Sequence, residues 1–103
     1  MTIIARLEIT PVGEESMTER IATAIEALDD FDIQYELTPT DTVIEAESVH
    51  EVFEAAAAAH DAVTGGRVIT SIEVDDQGGR DQKAHDRVAA VEEQLGRPPR
   101  SDA

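Results

Sequence analysis

Ile33-Gln34-Tyr35-Glu36-Leu37-Thr38-Pro39-Thr40-Asp41-Thr42-Val43-Ile44-Glu45-Ala46-Glu47 is the stretch whose reading decides the fold. Over 33–38, Ile33, Tyr35 and Leu37 share one face, and Gln34, Glu36 and Thr38 the other. Over 42–47, Thr42, Ile44 and Ala46 stand opposite Val43, Glu45 and Glu47. Alternation at period two marks a half-buried strand. Between the two, Thr38-Pro39-Thr40-Asp41 makes a turn: proline presets φ, and short polar side chains bond their own backbone.

Both flanks change period. Upstream, Ser16 and Glu19 have capping-box spacing, in which each side chain satisfies the other's free backbone donor. Behind them Met17, Ile21, Ala24, Ile25 and Leu28 form a helical stripe that Asp29-Asp30 ends. Further upstream, 3–10 alternates as a strand with Ile3, Ala5, Leu7 and Ile9 inward, and Pro11-Val12-Gly13 is expected to break it. Downstream, Ser48 and Glu51 form a second capping box, opening a helix expected to bury Val49, Val52, Phe53, Ala56, His60 and Val63. Its run Ala55–Ala59 suits close packing on a sheet. Gly65-Gly66 ends that helix, 67–75 alternates as a fourth strand, and Gln77-Gly78-Gly79 turns into a last helix from about Asp81 to Leu95. There Ala84, Val88, Val91 and Leu95 are expected inward, with Gly96 and Pro98-Pro99 as the stop.

Strand, helix, strand, strand, helix, strand is the split β-α-β arrangement of the α+β ferredoxin-like fold, here with an additional C-terminal helix. Residues 1–96 are read as one domain and 97–103 as a flexible tail. Two helices cover one sheet face. The other carries Ile4, Val43 and Ile69 among Arg6, Thr10, Glu45 and Ser71, too apolar for a lone chain of this size. A homo-oligomer, dimer or tetramer, with a second subunit on that face or on an edge strand, is therefore expected.

Composition excludes several functions. Across 103 residues, 23 acidic against eight basic side chains give a net charge of −15, which repels phosphate backbones and anionic lipid. Phe31, Phe53 and Tyr35 are the only aromatics, too few for the stacking platform of single-strand binders. Neither nucleic acid nor membrane is expected as a partner. Lys83 is the sole lysine, and such an acidic, lysine-poor surface matches a halophilic protein whose self-repulsion molar salt screens; an ordinary acidic protein with a cationic partner is the alternative. Without cysteine there is no disulfide, thiol nucleophile or thiolate metal site. No apolar run reaches the roughly 18 residues of a membrane span and no signal peptide is evident, so a soluble, cytoplasmic protein is expected.

Catalytic motifs are missing: no HExxH, P-loop or nucleophile elbow is present. His60 reads as a hydrogen-bonded core histidine, and His50 and His85 as exposed helix residues. Asp75-Asp76 reads as a strand-to-turn pair, since neighbouring strand side chains diverge and make a poor cation cage. Tyr35 reads as a core residue with a satisfied hydroxyl, ring stacking on a ligand being the alternative. No cofactor, no metal and no enzymatic activity are expected.

Several short signatures occur together: Thr10-Pro11-Val12-Gly13, Ser16-Met17-Thr18, Leu37-Thr38-Pro39-Thr40-Asp41-Thr42-Val43-Ile44-Glu45, Ala59-His60-Asp61, and Arg67-Val68-Ile69-Thr70 leading to Asp75-Asp76. In this order, over roughly 2–95, the chain resembles the small thiamine-binding protein family. The resemblance implies a ferredoxin-like chain that assembles into dimers and tetramers and binds thiamine or its aminopyrimidine moiety without a known reaction. Thr40-Asp41 stands where that family usually carries a methionine and a glycine, Ala46 where a glycine is usual, and Gln77 where an arginine is common.

An aminopyrimidine offers a donor–acceptor edge that a carboxylate and hydroxyls satisfy, and its cationic thiazolium partner favours an acidic pocket. Glu45 is the first ligand candidate, with Thr10, Thr38 and Thr42 as its hydroxyl partners. The expected function is a non-catalytic carrier, buffer or sensor of thiamine or a related pyrimidine. The alternatives are a structural or regulatory oligomerisation module without a small-molecule ligand, and an enzyme acting on a thiamine precursor.

If salt screens the self-repulsion, the thermal unfolding midpoint followed by circular dichroism rises between about 0.1 M and about 2 M potassium chloride. A midpoint indifferent to salt assigns the charge to a cationic partner instead.

Overall fold

Ile3, Ala5, Leu7 and Ile9 turn their side chains to one face of the first strand and are all buried there, which makes that strand the axis of the sheet. The computed structural model describes residues 2–13, 16–63 and 66–101; of the Gly65-Gly66 stop and the 97–103 tail, Gly65 and residues 102–103 lie outside these, as does Met1. The elements are β1 (Ile3–Val12), α1 (Met17–Ala27) running into a 3-10 turn Leu28–Asp30, β2 (Gln34–Leu37), β3 (Thr42–Ala46), α2 (Val49–Ala62), β4 (Arg67–Asp76) and α3 (Ala84–Leu95). The sheet order is β2-β3-β1-β4, every neighbour antiparallel. This is the ferredoxin-like α+β arrangement with the added C-terminal helix.

The hairpin forms as its residues dictate. Thr38 N–H donates to the Asp41 carbonyl at 2.9 Å and its hydroxyl to Asp41 Oδ1 at 2.6 Å, closing the turn by side chain as well as backbone. β1 runs two residues further than its sequence indicates, through Pro11 and Val12. Beyond Leu7 it pairs with β4 alone, and a strand with one unpaired edge tolerates a proline.

The two helices between strands lie on one face; α1 keeps its expected stripe apart from Met17, whereas α2 is rotated from its own. In α1, Ala24 and the following Leu28 are fully buried, whereas Met17 is 51% exposed and Arg20 takes a buried place. In α2, Val52, Ala55, Ala56, Ala59 and Val63 face the core, while Phe53 is 50% exposed and His60 is on the surface. The alanines let the helix backbone approach the sheet closely, so the bulky Phe53 is turned to the flank. His60 Nδ1 still finds Thr70 Oγ1 at 2.6 Å, so it is hydrogen-bonded as expected but not in the core.

The caps are partly as expected. Ser16 and Ser48 accept from the Glu19 and Glu51 backbone N–H groups. Glu51 does not close a box on Ser48; its Oε1 accepts from Asp32 N–H at 2.9 Å and ties α2 to the segment before β2.

α3 departs most. It begins at Ala84, and Asp86 Oδ2 accepts from Lys83 N–H at 2.9 Å to cap it. Gly96 ends it at φ 74°, a left-handed backbone that glycine adopts without strain, donating to the Glu92 carbonyl. Val88, Val91 and Leu95, expected inward, are 55%, 61% and 47% exposed, and α3 contains no buried residue. It stands off the open sheet face, and the radius of gyration of 15.2 Å exceeds the about 13 Å of a compact chain of this length.

Tyr35 donates to Asp29 Oδ1 at 2.6 Å while its ring packs against the core. That bond, partial desolvation and the Asp29 charge together raise its pKa above 10.0. A raised folded-state value means the contact's stabilisation is complete below about pH 10 and is lost as pH rises through it. Tyr35 is the single tyrosine and tryptophan is absent, so tyrosinate absorbance reports it alone. Asp29→Asn is expected to return its titration toward the ordinary value; an unchanged curve rejects the contact. In the core, Ile44→Ala is expected to cost about 2–5 kcal/mol in denaturant unfolding, and Phe53→Ala less than about 1 kcal/mol.

Candidate functional site

Strand register sets one row of residues across the open face. Ile4 of β1 pairs with Glu45 of β3 on one side and Asp75 of β4 on the other, and Glu45 pairs in turn with Gln34 of β2. The first turn of α3 lands on this row. Glu45 Oε1 accepts the Ala84 N–H at 3.0 Å, and Arg87 Nη2 donates to Asp75 Oδ2 at 2.7 Å. Ala84 and Arg87 are three apart and so share one helix side, which is why a single turn reaches both carboxylates. Ala84 N–H is one of the donors an α-helix leaves without an internal partner, and Glu45 supplies one.

Three hollows surround this contact. Between α3 and the sheet lies a cleft of about 660 Å³ with Ile4, Val43 and Val88 as its apolar lining and Arg6, Asp75 and Arg87 among its charged edges. A hollow of about 160 Å³ joins Glu45 to Gln34, Tyr35, Val43, Ala84 and His85. On the other side of Glu45 an acidic hollow of about 550 Å³ is bordered by Asp32, Glu47 and Asp81 as well as Glu45, with Lys83 as the basic member. Glu45 is half-buried and stands where the small and acidic hollows meet. With one oxygen engaged by α3, its second oxygen can accept a further donor.

The structure does not bring the four expected site residues to one place within a chain. Thr42 is buried and faces the helices, opposite in parity to Glu45 on the same strand. With Thr38 it borders a separate hollow of about 240 Å³ that also holds Leu37, Ile21 and Ile25. Thr38 additionally reaches the cleft beneath α3, though its hydroxyl is committed to Asp41. Thr10 lies on the open face but six residues along β1 from Glu45's partner Ile4, about 20 Å at about 3.3 Å per residue.

The departures from the family pattern acquire structural roles. Asp41 receives the Thr38 hydroxyl, Ala46 is buried in the core, and Gln77 Nε2 donates to the Gln82 carbonyl at 2.7 Å and the Thr2 carbonyl at 3.4 Å. Gln77 thereby secures the connection into α3. Asp76 Oδ1 accepts from Gly78 N–H at 2.9 Å, so the aspartate pair divides between a turn and the α3 tether.

Sequence reading missed the α3 contacts altogether, because nothing in a linear pattern says where a helix beyond the last strand will land. It also passed over Arg20, although position 20 precedes Ala24 by four and belongs to the buried stripe. The Arg20 guanidinium lies beside the connections around Gly13 and Gly66, 3.8 and 3.7 Å from where a Cβ would stand on each. Among the described residues, no group of three or more His, Asp or Glu is placed to hold a metal ion, and no helix is long and apolar enough to cross a membrane.

A UPF0045 protein of Methanothermobacter thermautotrophicus is 36% identical over 98 residues, covering 90% of this chain and 99% of that one. The structure is similar to that of a hypothetical protein from Methanocaldococcus jannascii, with a TM-score of 0.81, 25% identity, and 89% and 97% of the two chains covered. It also shares its fold with a thiamine biosynthesis/salvage candidate from Thermotoga maritima, at TM-score 0.68 and 21% identity over 88% and 99% of the two chains. The sequence model of the thiamine-binding proteins matches residues 5–92, from within β1 through β4 and most of α3, and the chain belongs to that family.

Proposed function

We propose that this protein binds thiamine or its aminopyrimidine moiety without chemical conversion, as a carrier, buffer or sensor, with Glu45 as the anchoring carboxylate. One observation carries the reading: Glu45 is half-buried at the meeting point of two hollows, held by one oxygen and open at the other. The small hollow offers the aminopyrimidine ring an apolar contact at Val43, with Glu45 to accept from the amino group. The acidic hollow beyond, where Asp32 and Glu47 stand beside Glu45, suits the cationic thiazolium. Family membership and the Thermotoga maritima relative's thiamine assignment support the same ligand class. Thr38 and Thr42 border a different hollow, and Thr10 a different end of the sheet, so the reading rests on Glu45 without the three threonines.

A second reading rests on a separate observation. Val88, Val91 and Leu95 form an exposed apolar stripe on α3, which suits an oligomerisation module with no small-molecule ligand. The two readings are separated by calorimetric titration of thiamine and of hydroxymethylpyrimidine into the protein at about 2 M potassium chloride, which screens its self-repulsion. Binding is expected, weakened roughly 10- to 100-fold in Glu45→Gln, the range for losing a hydrogen bond to a charged group. If neither compound binds the folded protein, and Val91→Glu converts a sedimenting oligomer to a monomer, the second reading replaces the first.

A further inference from the structure

We infer that α3 is a strap whose attachment is coupled to ligand binding at Glu45, and that Arg87, which does not line the small Glu45 hollow, is a positioning residue for that site through its ion pair with Asp75. The inference rests on the reading of Glu45 as the ligand anchor and concerns how that site is regulated.

α3 is held to the sheet by polar contacts, with no buried residue of its own. The tethers are Ala84 N–H on Glu45, Arg87 on Asp75, and the Gln77 side chain on the Gln82 carbonyl just before the helix. An element attached this way belongs to the least stable part of a structure and opens at low cost. Its first turn is nevertheless a wall of the small hollow, since Ala84 and His85 line it together with Glu45. The Ala84 amide also fixes the direction of the Glu45 carboxylate. When α3 swings away, the hollow loses a wall and Glu45 loses the bond that aims it.

Linkage then runs both ways. A ligand that binds only the strapped form must hold the strap down, and whatever loosens the strap weakens the ligand in proportion to the fall in the strapped fraction. Arg87 and Asp75 are partly exposed, with side chains 39% and 52% accessible, so their tether contributes modestly, and the coupling is bounded by what it contributes.

The test uses the full chain with thiamine and hydroxymethylpyrimidine as probes at about 2 M potassium chloride. Hydrogen exchange of residues 84–95 is expected to slow when either probe saturates the wild-type protein. Arg87→Gln is expected to speed exchange in the same helix without probe and to weaken calorimetric binding by about 2- to 5-fold. Arg87→Lys should restore part of both, and Asp75→Asn should reproduce Arg87→Gln without adding to it in the double variant. Heat of binding with no change in α3 exchange overturns the strap while leaving Glu45 as the anchor. Normal affinity in an Arg87→Gln protein whose α3 amides exchange without protection overturns it equally. No heat with either probe overturns both the strap and the ligand reading.

Discussion

The pairing of β1 with a strand on each side is the constraint from which the rest of the molecule follows. It buries Ile3, Ala5, Leu7 and Ile9 on one face, giving α1 and α2 a surface to cover. On the reverse face the same register sets Glu45, Ile4 and Asp75 side by side across three strands. A slip of one residue would send the apolar set outward and the carboxylates into the core, so the hydrophobic pattern that folds the sheet also fixes the spacing of the groups that hold α3. Fold and site depend on one register.

The two faces are finished by different physics. On the helix side, alanines at 55, 56 and 59 bring α2 close to the sheet and exclude water over a continuous apolar cluster. On the other side, α3 rests on hydrogen bonds and an ion pair over a cleft of about 660 Å³. Burial makes the first face rigid. The second is held by contacts that water and salt weaken, in a chain of net charge −15.

Element order and fold class were legible because hydrophobic period is a local property, and the turn at Thr38–Asp41 carries its own chemistry. Helix orientation was less so. Phe53 and His60 fit a helical stripe on spacing alone, but Val52, Ala55 and Ala59 fit another about one residue round, and the sheet selects the smaller side chains because they allow closer approach. Val88, Val91 and Leu95 carried a sound amphipathic pattern, yet all three remain largely exposed. Glu45 could be singled out as a carboxylate on the open face, yet its tie to Ala84 joins strand to helix across 39 positions and leaves no trace in local spacing. Parity within β3 already separated Thr42 from Glu45; the structure shows that this separation is a difference of face.

The proline within β1 has an effect on what the sheet can join. From Glu8 to Val12 the strand has a neighbour on one side only, which would ordinarily be a template for an incoming chain. Pro11 removes a backbone donor from that stretch and Glu8 adds a negative charge beside it, so a foreign strand would find neither a full ladder nor a neutral surface there. The free rim of the central strand is thereby guarded against β-augmentation.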